Sequence, residues 1–294
     1  MKFSIITPTY NRAHTIERAI KSMQNQTYDN WEMIIIDDGS IDNTEEILNP
    51  YLENDSRIKY IKNKQNGGVG KARNIGFKNI SQDTDWVGFL DSDDIFVDSA
   101  LELMKNKIEE FPNVKYFSFS TKYEDGNSGC KIKHDNLIGS YEIVLGKNDE
   151  VSGEFNSLLH KSIIDDEFYF DESVNGYEWI AWLRLAQKDY KHLYTTTTIT
   201  RIYITDGESL LRTTNKSKKY YENSQKGLSI ILDEFGDDLK SANMKKYSLY
   251  MYTLAYANII LGNKMIGLKQ TFKAFVSDPL NLRFFRNILN VFKF

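Results

Sequence analysis

Cysteine is almost absent from this chain: Cys130 alone excludes an intramolecular disulfide and fits a reducing compartment. Histidine is scarce too, four in 294 residues, so a zinc site of the usual cysteine or histidine type is not expected. There is no positive excess, with 37 Lys and Arg against 41 Asp and Glu, and a formal net charge of -4 offers nucleic acid no footprint. No apolar run reaches the ~20 residues that a membrane span needs. The longest uncharged stretch, Tyr247 to Asn263, carries Ser248, Thr253, Asn258 and Gly262 and reads as a buried helix. At the start, Met1-Lys2-Phe3-Ser4-Ile5-Ile6-Thr7 meets Pro8 too soon for a signal-peptide core, so secretion is not expected and a cytoplasmic location is. Internal repeats and low-complexity tracts are missing as well. What is present, 41% hydrophobic and 27% charged residues, suffices for a sizeable core; the length suits two domains or one large domain with an extension.

The most informative stretch is Val87-Gly88-Phe89-Leu90-Asp91-Ser92-Asp93-Asp94. A buried strand stops there at three carboxylates within four positions, a costly placement of charge unless a cation meets it. Residues two apart point the same way, so Asp91 and Asp93 can share a site while Ser92 turns from it. Hard oxygen ligands suit Mg²⁺ or Mn²⁺, which keep several waters and bridge to nucleotide phosphates. A solvated Asx turn before a helix over Val97 to Glu110, with Asp98 near its start, is the competing reading of this stretch alone.

Along the chain, Phe3 to Thr7 reads as a first strand, with Pro8 in the loop leaving it. Ile16, Ala19, Ile20 and Met23 mark one face of a helix. Glu32 to Ile36 is a second buried strand ending at the two carboxylates and turn of Asp37-Asp38-Gly39-Ser40. A helix through Leu52, a short strand from Arg57 to Ile61, a glycine-rich loop from Asn66 to Gly76 opening a helix, and a strand from Trp86 to Leu90 follow. Such alternation implies a parallel, doubly wound sheet, whose ligands bind at the carboxyl ends of the strands. Tyr116 to Thr121 and Phe155 to Lys161 read as further strands, Glu178 to Gln187 as a helix and Thr195 to Ile202 as β-rich. Lys122 to Gly153 is weakly patterned, suggesting loops or a short hairpin, and the chain after Lys216 reads as helices.

The glycine loop fits neither common nucleotide motif. Gly68-Val69-Gly70-Lys71-Ala72-Arg73 has arginine at the last glycine position of the dinucleotide fingerprint, and a Walker A loop fails at Gln65 and Ala72. What remains is a loop permitting close backbone approach, with Lys71 and Arg73 able to meet phosphate or carboxylate. At the second strand end, Asp37 or Asp38 can accept hydrogen bonds from a base or a ribose, or can simply build the turn. Base, diphosphate and metal together suit a nucleotide-diphosphate donor.

Ser4-Ile5-Ile6-Thr7-Pro8-Thr9-Tyr10-Asn11-Arg12, Ile36-Asp37-Asp38-Gly39-Ser40, Asn66 to Gly76 and Leu90-Asp91-Ser92-Asp93-Asp94, in that order, resemble family 2 of the glycosyltransferases. Phe170-Asp171-Glu172 and Gly176-Tyr177-Glu178-Trp179 resemble that family's acceptor half. The resemblance implies the GT-A fold, an α/β architecture with a mostly parallel central sheet. A catalytic domain is expected over 1–215, with a nucleotide-sugar half at 1–110 and an acceptor half at 111–215, and a helical region over 216–294. It implies inverting, metal-dependent transfer of a hexosyl or N-acetylhexosaminyl group, usually from a UDP-sugar, to a saccharide acceptor in bacterial surface glycan assembly. Carried over residue by residue, it places Thr7, Pro8 and Tyr10 at the base and ribose, Asp38 near the uracil, and Arg12, Gly68, Arg73 and Ser92 on the donor side. Asp91 falls at ribose or metal, and Asp93 is the principal ligand of Mn²⁺ or Mg²⁺. A nucleotidyltransferase, or a non-catalytic nucleotide- or glycan-binding protein, is the alternative class.

Two departures stand out. The usual Glu-Asp-Trp triplet is Tyr177-Glu178-Trp179 here, so Glu178 inherits the catalytic base with a side chain one methylene longer. Where relatives often carry a histidine that approaches the metal, this chain has Asp206, an oxygen ligand or a turn residue, and only Arg201 or Arg212 could supply a cation from that segment. Finally, from Lys264 onward Lys264, Lys269, Lys273, Arg283, Arg286 and Lys293 face the single acid Asp278, and Leu282, Phe285, Leu289 and Phe292 share one helical face. Such a helix can lie peripherally on an anionic membrane, near a lipid-linked acceptor, or dock on the catalytic domain with its cations in water; both readings stay open.

Overall fold

The computed structural model describes residues 1–188, 190–202 and 217–293. In its first part β1 (Phe3–Thr9), α1 (Ile16–Gln24), β2 (Trp31–Asp37), α2 (Thr44–Asn54), β3 (Ile58–Lys62), α3 (Val69–Phe77) and β4 (Trp86–Phe89) alternate. The strands pair in parallel in the order β3, β2, β1, β4. Their apolar runs lack alternation because both faces are covered. Phe3, Ile5, Met33 and Ile35 pack with Ile16, Ile20 and Met23 of α1, while Ile6, Ile34 and Ile36 pack with Ala72 and Phe77 of α3.

The strand β1 does not stop at Thr7 but continues through Pro8 to Thr9. Leu90 N–H donates to the Ile6 carbonyl at 3.1 Å and Asp38 N–H to the Thr9 carbonyl at 2.8 Å, so even residues of β1 turn their backbone toward β4 and odd ones toward β2. Pairing with β4 ends at Ile6, and Pro8 therefore faces a place where no neighbouring strand needs an N–H.

After β4 come β5 (Ile95–Phe96), α4 (Ala100–Glu110), β6 (Tyr116–Tyr123), β7 (Cys130–Ile132), β8 (Leu137–Gly139), α5 (Tyr141–Val144), β9 (Val151–Gly153), β10 (Phe155–His160), α6 (Lys161–Asp165), α7 (Trp179–Gln187) and β11 (His192–Ile202). The parallel order is interrupted after β4 by β10, antiparallel to both of its neighbours, and resumes in β6 and β11, which pair in parallel. Next to β11 lies β5, with β8 also on β11. The sheet is therefore mixed, because β10 returns beside β6 as a strand without a full crossover helix does. The weakly patterned stretch supplies β8 and a small β7–β9 sheet.

The last helices are α8 (Lys218–Ala242), α9 (Met244–Ile260), α10 (Lys264–Ser277) and α11 (Arg283–Lys293). Leu228, Ile231, Phe235 and Leu239 of α8 and Met251 and Tyr252 of α9 share a core with Ile180 and Leu183 of α7. The two regions expected to meet at 215–216 are thus joined by packing, while residues 203–216, with that boundary, lie outside the described residues. Among the described residues no helix is long and apolar enough to cross a membrane.

Candidate active site

The carboxyl ends of β1, β2 and β4 and the start of α3 converge on one edge of the sheet. Strand pleating sorts the candidates by face. Pro8 and Asp38 follow Ile6 and Ile36 onto the α3 face, whereas Thr7 and Asp37 belong to the opposite one. Asp37 is fully buried, accepting from Ser40 N–H and from the Tyr60 hydroxyl, each at 2.7 Å. Burial and that bond push the Tyr60 hydroxyl far up. Asp38 accepts from Asn63 Nδ2 at 2.9 Å, from Gly67 N–H at 2.9 Å and from Gly68 N–H at 2.6 Å. Its carboxylate here anchors the glycine loop. Thr7 is buried with no hydrogen-bond partner for Oγ1, while Pro8 is partly exposed and Tyr10 is exposed.

The loop is held from the other side by the segment between α6 and α7. Gly68 has φ +91°, and a Cβ there would lie 1.7 Å from Asn175 Oδ1. Further along α3, Asn74 is buried and exchanges hydrogen bonds with the Phe170 backbone, donating at 2.9 Å and accepting at 2.8 Å, and also donates to Glu172 at 3.0 Å. Lys71 folds back against Gly67.

Arg73 leaves α3 with its guanidinium 5.2 Å from the Phe89 ring centre and 5.4 Å from that of Phe170, and Nη2 reaches Asp91 at 3.0 Å. Asp93 faces Arg12 Nη2 at 3.6 Å, and its carbonyl accepts from Arg18. A turn from Asp94 N–H to the Asp91 carbonyl at 3.0 Å shapes the segment, with Ser92 buried beneath it. Burial, then the negative charge of Asp91, pushes the Asp93 carboxyl above its ordinary range. Glu154 is raised likewise, first by burial and then by Asp91. Such crowding of hard oxygen donors is what a divalent cation relieves, so Asp91 and Asp93 fit Mg²⁺ or Mn²⁺ completed by water and phosphate oxygens. Among the described residues no cluster of three or more His, Cys, Asp or Glu could hold a metal, and Asp206 and Arg212 lie outside the described residues. Arg201 is exposed on β11.

Glu178 stands at the start of α7, partly buried, its Oε1 accepting from Gly176 N–H at 3.1 Å. Asn175, against Gly68, is three peptide steps away, at most about 11 Å of chain. Glu178 therefore belongs to the side of the glycine loop. Tyr177 turns instead into α8, where a Cβ on Gly227 would come within 2.5 Å of its ring. Burial raises its hydroxyl, while a hydrogen bond with Ser224 lowers it. Glu154, Asn175 and Asn74 escaped sequence reasoning, since none belongs to a periodic run or a charged cluster that would single it out.

A mixed sheet of this order, with a glycine loop and paired carboxylates at its carboxyl edge, defines the GT-A class of sugar-transferring enzymes. Residues 4–166 match the model of Glycosyl transferase family 2, and the chain belongs to that family of glycosyltransferases. It is 31% identical over 226 residues to GalNAc(5)-diNAcBac-PP-undecaprenol beta-1,3-glucosyltransferase of Campylobacter jejuni, covering 74% of this chain and 71% of that protein. With UDP-Glc:alpha-D-GlcNAc-diphosphoundecaprenol beta-1,3-glucosyltransferase WfgD of Escherichia coli it shares 43% identity over 110 residues, 36% of this chain and 42% of that one. The crystal structure of S. aureus TarS 1-349 in complex with UDP-GlcNAc has the same fold, with a TM-score of 0.65 at 19% identity, covering 99% of this chain and 88% of that one.

Proposed function

We propose that this glycosyltransferase moves one sugar, with inversion, from a UDP-sugar to a hydroxyl of a lipid-linked saccharide during assembly of a bacterial surface glycan. The observation that carries the reading is the meeting, at one sheet edge, of the Asp38-anchored glycine loop, Arg73 with Asp91 and Asp93, and a segment of the acceptor half that ends at Glu178. The undecaprenol-linked acceptors and the UDP-Glc named for the two relatives support the substrate classes. We assign 1–110 to the donor, 111–215 to the acceptor, and 216–294 to a supporting helical region.

Asp93 and Asp91 would hold a divalent ion, which when bound supplies positive charge for the departing diphosphate. Pro8 and Tyr10 line the base side, Thr7 backs the strand beneath them, and Arg12, Gly68 and Ser92 shape the floor near the diphosphate. Glu178 takes the proton of the acceptor hydroxyl as its oxygen bonds to the anomeric carbon. The bond from that carbon to the diphosphate oxygen breaks on the opposite face, and its electron pair leaves with the nucleotide.

Calorimetric titration with UDP, GDP and CDP, each with and without Mn²⁺, tests the donor site. UDP binding that strengthens with the metal and weakens in Asp93→Asn is the expected result. Absence of metal-linked binding of any nucleotide overturns the reading.

A further inference from the structure

The helix α11 docks with only part of its apolar surface. Asn287 is fully buried and donates to the Tyr252 carbonyl at 2.9 Å and to Thr271 Oγ1 at 3.3 Å, and the Phe284 ring lies 4.5 Å from that of Phe275. A neighbouring stripe stays in water: Leu282 just before the helix, and Phe285, Leu289 and Phe292 on it, the last 84% exposed. Met265, Phe272 and Val276 are exposed in the same way on α10, as is Leu280 in the turn between the helices, at 91%. Ring contacts join the two stripes, Phe272 to Phe284 at 5.6 Å and Phe284 to Phe285 at 5.5 Å. The result is one continuous apolar surface.

Its charge is predominantly positive. Lys269 and Lys273 are exposed between the apolar residues of α10, and Arg283 and Arg286 are exposed beside the stripe of α11. The lone acid of the segment, Asp278, accepts from Asn281 Nδ2 at 2.8 Å. Scattered exposed apolar residues are ordinary, but a contiguous stripe edged by cations is not. A second copy of this chain would bring two like sets of cations together, and protein interfaces are depleted in lysine at their core. A bilayer with anionic headgroups matches both the stripe and its rim.

We propose that the α10–α11 surface seats this enzyme on an anionic membrane, with Leu282, Phe285, Leu289, Phe292, Val276 and Leu280 at the acyl boundary and the cations among headgroup phosphates. The proposal rests on the lipid-linked acceptor reading only for its purpose, and its test does not use transfer activity.

Flotation of the full chain with vesicles of phosphatidylcholine alone, or doped with phosphatidylglycerol, measures the partition directly. Binding to the doped vesicles is expected. The Leu282→Ser/Phe292→Ser variant should lower it by about tenfold. Lys269→Gln and Lys273→Gln should each lower it about fivefold, on anionic vesicles only, and added salt should do the same. These side chains are exposed, so folding should be retained, and unchanged UDP titration in the variants checks it. Failure to float with either vesicle, or equal flotation of wild type and variants, overturns the proposal. So does a dimer, seen by analytical ultracentrifugation, that the serine substitutions dissolve.

Discussion

Arg73 Nη2 stands 3.0 Å from Asp91 Oδ1, linking α3 to the turn after β4 across 18 residues of sequence. The same guanidinium lies over Phe89 and Phe170, so its position is set by planar stacking as well as by charge. Lysine offers neither the plane nor the fork. Arg73→Lys is expected to lower kcat/KM for nucleotide diphosphate release by at least roughly tenfold, with thermal stability little changed. Wild-type kinetics in this variant would show that Arg73 serves only to neutralise Asp91.

The proton removal proposed for Glu178 can be isolated there. Glu178→Gln keeps the side-chain oxygen that accepts from Gly176 N–H and removes the proposed base. A fall in kcat of roughly 10²- to 10⁴-fold with UDP affinity unchanged is expected in acceptor-dependent assays. Glu178→Asp should recover part of the rate, because the carboxylate survives at a shorter reach. Loss of UDP binding in the glutamine variant would instead make Glu178 a structural residue of the loop.

Gly68 carries two separable constraints. Gly68→Ala places a methyl group where Asn175 Oδ1 lies, 1.7 Å away, at a φ of +91°. A loss of about 2 kcal/mol is expected by chemical denaturation, part steric and part backbone strain. Adding Asn175→Gly should relieve the steric share and leave roughly 1 kcal/mol of strain. Strictly additive losses would mean that the two residues do not touch.

Acid should destabilise the fold through His192. Its ring is buried, stacked 3.6 Å from Tyr116, with Nε2 2.8 Å from Ser118 Oγ, and burial pulls its pKa down to about 3 from 6.5. Below 6.5 the unfolded chain takes up a proton that the folded one refuses, so stability is complete above that pH and falls as the pH drops toward 3. A slope of about 1.4 kcal/mol per pH unit is expected between about pH 6 and pH 4.5, superposed on smaller contributions. Urea midpoints of wild type and His192→Asn across this range check it. The slope should flatten in the variant, and an identical slope would assign it to other groups.

How much of this was legible depended on whether a feature is local. The parallel core announced itself, because uninterrupted apolar runs such as Met33 to Ile36 arise where helices cover both faces. The carboxylates after β4 were visible for the same reason, as charge at the end of a buried strand. The division of labour between Asp37 and Asp38 was not, since it depends on which face of the pleat each occupies once β2 pairs with β1. Pro8 misled for a related reason: its missing N–H matters only where a neighbour extends far enough to need it. Glu154 reaches the electrostatic field of Asp91 through a long-range strand return that no local pattern encodes. On α11 the amphipathic stripe was plain, but not that Phe284 and Asn287 would dock while Phe285 and Leu289 stayed in water.

The core shared by α7, α8 and α9 packs the helix that Glu178 caps against α8 and α9, and α9 in turn carries α10 and α11 with the exposed stripe. On the proposed membrane seat, this gives the enzyme a fixed working height. The base would stand at a set elevation above the lipid, and only hydroxyls of a glycan grown to that height would reach it. The length of the acceptor would then be measured by the body of the protein, apart from any recognition of its sugars.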